Sequence, residues 1–124
     1  RLADAYLMYA EAVLRGGGGS ATTALDYVNQ IRRRAYGDNS GDITAAQLTL
    51  DFILDERARE LFWEAHRRTD LIRYGRFTGG SYLWAFKGSR AAPGGTAAAA
   101  HLNLYPIPAS DLATNPNLTQ NPGY

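Results

Sequence analysis

Over the first fifteen residues, RLADAYLMYAEAVLR, the apolar positions fall in two adjacent rows at helical spacing, Leu2–Tyr6–Tyr9–Val13 and Ala3–Leu7–Ala10–Leu14. Only Asp4, Glu11 and Arg15 mark a polar stripe, so this helix is expected to be buried on several sides. The run GGGGS at 16–20 breaks it. An engineered linker would show the same string, but the helix patterns continuing on both sides favour a native turn. Thr23 with Asp26 three residues later resembles a capping box. From there Ala24, Val28, Ile31 and Ala35 form one stripe to about Tyr36. A short turn between two such helices predicts an antiparallel hairpin over 1–36.

A second loop, GDNSG at 37–41, leads to Thr44, the expected N-cap of a long helix that is strongest from 48 to about 66. Its apolar face is Leu54, Ala58, Leu61, Phe62 and Ala65, and Trp63 is expected in the core. A short helix follows over 69–74 and stops at Gly75. Helix pairs of about 35 residues suggest tetratricopeptide-like units, although no internal self-similarity is evident. After Phe77 the period is lost; all five Pro lie there. Tyr82, Trp84 and Phe86 alternate as a short strand or extended segment would. Pro106 and Pro108 hold the chain extended, and Asn115-Pro116 and Asn121-Pro122-Gly123 signal turns. Leu118 and Tyr124 are expected to dock this tail on the helical body. The expected fold is all-α, one region of tetratricopeptide-like antiparallel helix pairs (1–36 hairpin, 43–76 long and short helices) with a long irregular Pro/Gly-rich tail over 77–124.

Composition refines the picture. At 124 residues the chain has the size of one domain, and 45% hydrophobic with 20% charged residues is a globular balance. It has no Cys, which removes disulfides and thiol chemistry. A net charge of +1 gives no bulk reason to bind nucleic acid or an anionic membrane. All the basic residues except Lys87 are Arg, the residue suited to fixed, bidentate pairing.

The densest charge lies within 51–76. Glu56, Glu60 and Glu64 share a helix face at i,i+4 spacing, with His66 and Asp70 nearby. Paired carboxylates could serve acid–base work or a metal. Against that, Arg57, Arg59, Arg67, Arg68 and Arg73 are at hand to neutralise them, and no HExxH spacing occurs. The expectation is a structural ion-pair network of Glu56, Glu60, Glu64, Arg57, Arg67, Asp70 and Arg73, with no catalytic residue, metal or cofactor. Arg32, Arg33 and Arg34 suit the negative end of the second helix. The aromatics offer different chemistry: sugar C–H faces pack on rings, and Trp84 with Tyr82, in a Gly-bounded segment, are the candidate ligand contacts.

Three segments in order, DERARELFWEAHRRTDLIRYG (55–75), HLNLYPIP (101–108) and the terminal NPNLTQNPGY (115–124), resemble the SusD/RagB family of outer-membrane nutrient-binding lipoproteins. ADAYLMYAEA and YVNQIRRRAYG are similar to the family's late helices. Ala65 stands where the family often has Gly, and Thr69 where an aromatic is common. Family members are several times longer, so the resemblance implies a C-terminal portion. It further implies a surface-exposed protein of the outer membrane that captures polysaccharide or oligosaccharide and sits on a SusC-like TonB-dependent transporter. The membrane would be reached only through an N-terminal lipid anchor absent from this chain. A rival reading is a helical scaffold for protein partners without sugar; a third is a glycosidase, which needs two carboxyls flanking a cleft.

Overall fold

The first two helices, α1 (Leu2–Leu14) and α2 (Ala21–Tyr36), form the expected hairpin in the computed structural model, which describes residues 1–124. The Tyr9 hydroxyl accepts from the Ser20 N–H beside the turn, while Leu2 and Tyr6 lie beside Gln30, Ile31 and Arg34 near the end of α2. The pair is therefore antiparallel. Ala3, Ala10 and Ala24 keep the seam narrow, Leu7, Val28 and Ile31 fill it, and Ile43, Leu48 and Ile53 complete the core. Tyr6 and Tyr27 stack across the seam with ring centres 4.1 Å apart.

The helix starts earlier than Thr23. Ser20 is the N-cap, its side chain accepting from the Thr23 N–H. The glycine run is fitted rather than slack: a Cβ at Gly19 would stand 2.6 Å from the Val13 side chain and 2.8 Å from the Tyr9 hydroxyl. Leu2 and Met8 face outward, so α1 is not enclosed all round by these residues.

Thr44 caps a single 3-10 turn, Ala45–Gln47, in a capping box with Gln47; Thr49 caps the long helix, α3 (Leu50–Glu60). α3 ends at Glu60, well short of 66. The Glu60 carbonyl, which a continuing helix would give to the Glu64 N–H, accepts from the Arg1 guanidinium at 2.6 Å. The Glu64 N–H turns instead to the Leu61 carbonyl. Trp63 and Ala65 then take left-handed backbone, with φ of 64° and 62°, a conformation that disfavours any residue bearing a Cβ. Leu61 stays buried, but Trp63 is 91% exposed, contrary to the expected core position.

The chain divides into two compact units, Arg1–Arg67 and Arg68–Tyr124. α4 (Arg67–Arg73) begins at the boundary and is closed by Gly75 at φ 68°, as its sequence predicts. Of the short strand or extended segment expected over 82–86, the strand does not form; the structure has only an isolated bridge between Gly79 and Ala98. The Lys87 ammonium donates to the carbonyls of Tyr82 (2.6 Å) and Arg76 (3.1 Å), winding the segment about one amine, and Phe86 sits at φ 64°. Two short elements were not evident in the pattern, a 3-10 turn Ala100–Asn103 and α5 (Ala109–Thr114). The tail is closed on itself. The Gln120 amide brackets the Ile107 backbone, and the Tyr124 hydroxyl donates to the Leu104 carbonyl while its ring meets His101 edge-on at 4.8 Å. Tyr124 is thus anchored within the tail, and Leu118 remains partly exposed. No helix is long and apolar enough to cross a membrane.

Candidate functional site

The two candidate ligand contacts do come together. Tyr82 and Trp84 lie with ring centres 6.2 Å apart, and Phe77 lies 6.4 Å from Trp84 with its plane tilted by 26°. Trp84 is 36% exposed. The Lys87 ammonium sits 4.6 Å from the Trp84 ring centre, a cation–π contact, and Lys87 itself is only 2% exposed. Burial pushes its pKa below the ordinary lysine value. Lysine thus covers one face of the indole, and part of the ring stays exposed. Arg76 lies over the Tyr82 ring at 5.3 Å. The arrangement can stack an apolar sugar face.

The acidic helix face is knitted differently from its expected pattern. Glu56 pairs with Arg32 at 2.9 Å and Arg59 at 2.6 Å; both Glu56 and Arg32 are largely buried. Glu60 pairs with Arg34 at 2.5 Å and Arg1 at 3.1 Å, and Glu64 with Arg1 at 2.5 Å. Hydrogen bonding to Glu64 holds the Arg1 guanidinium above its usual pKa. The neutralising cations therefore come largely from the hairpin. Among those of the segment itself, Arg57 pairs with Asp4 at 2.7 Å, and Arg67 donates to the Leu54 carbonyl with Asp55 4.0 Å away. Asp70 pairs with Arg73 at 2.7 Å. Arg68 donates to the Leu102 carbonyl and lies over Tyr105. Arg33 grips Asp42, so the three arginines ending α2 each serve a separate acid rather than the helix dipole alone.

A feature that the apolar period hid is a cavity of about 370 Å³ lined by Arg57, Ala58, Leu61, Phe62, Trp63, Ala65 and Arg67. Reading 61–65 as continuous helix buried Trp63 on paper. The one signal was Ala65, at a position where a resembling family often carries Gly.

An all-helical body of arginine-locked helices with a closed, aromatic-bearing tail matches one class of protein. The chain belongs to the SusD family, whose model matches residues 1–124. It is 44% identical over 124 residues to the starch-binding protein SusD of Bacteroides thetaiotaomicron, covering all of this chain and 21% of that protein. A SusD-like protein of Formosa agariphila is 34% identical, with 98% of this chain and 23% of the relative covered. Among solved structures, the surface glycan-binding protein A of B. thetaiotaomicron superposes with a TM-score of 0.75 at 28% identity, covering 97% of this chain and 23% of that one. The same protein in complex with laminarihexaose gives 0.71 at 28% identity, covering 96% and 23%. The chain thus spans about a fifth of the length of the curated relatives it matches.

Proposed function

We propose that this chain is the C-terminal, scaffold-forming portion of a cell-surface glycan-binding protein of the outer membrane. The protein binds a polysaccharide or oligosaccharide without chemical change and hands it to a SusC-like TonB-dependent transporter. The observation that carries this reading is the 44% identity, over all 124 residues, to a protein named for binding starch. The glycan-bound structural neighbour supports a carbohydrate ligand. Glu56 and Glu60 of α3 and Glu64 beyond its end are each engaged by guanidinium groups, which suits a structural network of Glu56, Glu60, Glu64, Arg57, Arg67, Asp70 and Arg73 better than an acid–base pair. Tyr82 and Trp84 are this chain's own candidate sugar contacts.

Calorimetric titration of the longer protein with malto-oligosaccharides, laminari-oligosaccharides and other bacterial and plant glycans tests the reading. Saturable binding to at least one class is expected, with no new reducing ends on prolonged incubation. Trp84→Ala is expected to weaken binding roughly threefold to tenfold, the loss for one aromatic contact. Absence of binding to every glycan, alongside capture of a protein partner, would favour the scaffold reading.

A further inference from the structure

Phe62 and Trp63 are adjacent aromatics that are 72% and 91% exposed, on the rim of the cavity floored by Ala58 and Leu61. Trp63 and Ala65 hold left-handed backbone there. Backbone of this kind persists where surrounding structure over-determines it, and within these residues little surrounds Trp63. Its ring is 5.9 Å from that of Phe62, and both face outward. Something is built to cover them.

The chemistry of the walls selects the occupant. A sugar needs hydroxyl partners as well as a stacking face. The two charged groups lining the cavity are already committed: Arg57 pairs with Asp4 at 2.7 Å, and Arg67 donates to the Leu54 carbonyl at 2.9 Å. The rest of the lining is mostly apolar, which suits apolar side chains of a protein.

The geometry also says from where. Arg1 binds the Glu60 carbonyl and the Glu60 and Glu64 carboxylates, so the head of α1 is fastened to the very turn that carries Phe62 and Trp63. Relatives of this chain are close to five times its length.

We propose that the Phe62–Trp63 face is an internal docking seat, covered by the polypeptide of the same protein that precedes Arg1. The proposal rests on the reading of this chain as part of a longer SusD-family protein. The upstream segment enters at the 60–64 turn, lays apolar side chains into the cavity, and holds Trp63 in its left-handed conformation.

Hydroxyl-radical footprinting of the longer wild-type protein, read residue by residue by mass spectrometry, tests this. Oxidation of Trp63 is expected to fall about tenfold or more on folding, without glycan and at every protein concentration. A photo-cross-linking benzoylphenylalanine in place of Phe62 is expected to join peptides upstream of Arg1. Protection that appears only with added oligosaccharide would make the face a sugar subsite and overturn the proposal. So would protection that grows with protein concentration, which marks a second copy, or cross-links confined to 1–124. A longer protein that binds glycan yet leaves Trp63 as reactive as in the unfolded chain would sink the seat alone. A gene that encodes only an initiator Met before Arg1 would sink the seat together with the portion reading.

Discussion

Asn29 and Ile43 exchange two hydrogen bonds: the Asn29 amide oxygen accepts from the Ile43 N–H at 2.8 Å and its NH2 donates to the Ile43 carbonyl at 3.0 Å. Both residues are buried, so one side chain satisfies both backbone groups of a residue that no strand or helix provides for. The pair ties the 37–44 loop to α2 and sets Ile43 into the core. Asn29→Ala would leave two buried backbone groups without partners, and should cost about 2–4 kcal/mol in urea unfolding. The analogous bracket of Ile107 by Gln120 is half-exposed, and Gln120→Ala should cost about 1 kcal/mol. Equal losses would show that burial is not what separates them.

Ala65→Gly should stabilise the protein. Left-handed backbone costs an alanine about 1–2 kcal/mol, and glycine returns about 0.4–1 kcal/mol of that through the freer unfolded chain. The net gain should be about 0.5–1 kcal/mol, read as a higher urea midpoint at unchanged slope. A loss would mean that 61–65 is helical in solution.

Glu56 of α3 and Glu64, just beyond its end, should differ in weight. Glu56→Ala takes the carboxylate from the largely buried guanidinium of Arg32, leaving it the Gly41 carbonyl and the Tyr36 hydroxyl, and should cost about 3 kcal/mol. Glu64 and its partner Arg1 are both substantially exposed, so Glu64→Ala should cost under about 1 kcal/mol. Glycan affinity in the folded fraction should be unchanged in both variants. Lost affinity at an unchanged melt would reassign the residue to the binding site.

Lys87 gives a pH signature. Its folded pKa lies below the unfolded value of 10.5, because burial penalises the charged form. The unfolded chain therefore binds the proton more tightly, and stability attributable to Lys87 rises with pH through its folded pKa and levels off above 10.5. Denaturation of the wild type and Lys87→Met between pH 7 and the alkaline limit should show the wild type gaining on the variant as pH rises. The opposite slope would mean that the Tyr82 and Arg76 carbonyls and the Trp84 face outweigh desolvation.

Removing 121–124 takes away the Tyr124 hydroxyl bond to Leu104, its edge contact with His101 and the Asn121 bond to the Tyr105 carbonyl. The loss should be about 1–3 kcal/mol. Amides of this segment unprotected against hydrogen exchange, with an unchanged melt, would show that the tail is not anchored.

The hairpin was legible because α1 and α2 are long, periodic and rich in small residues, so local preference and packing agree. The end of α3 was not, because a guanidinium 59 positions away takes the carbonyl that would have continued the helix. The same distance in sequence hid the partners of Glu56 and Glu60, which arrive on Arg32, Arg34 and Arg1. Tyr82, Trp84 and Phe86 alternate like a strand, but a buried lysine gathers the carbonyls that a strand would pair. Trp84 and Tyr82 were found as neighbours because they are close in sequence; the cavity beside Trp63 depends on a turn whose backbone sign leaves almost no mark on composition.

The parallel stack of Tyr6 on Tyr27 has an optical consequence. Two phenols 4.1 Å apart, with planes only 3° from parallel, place their transition dipoles close enough to couple. One belongs to α1 and the other to α2, so their shared near-ultraviolet circular dichroism reports the closing of the hairpin itself. Tryptophan emission from Trp63 and Trp84 follows other parts of the molecule, which gives the chain two built-in dyes of different colour, one of them at the seam of its first two helices.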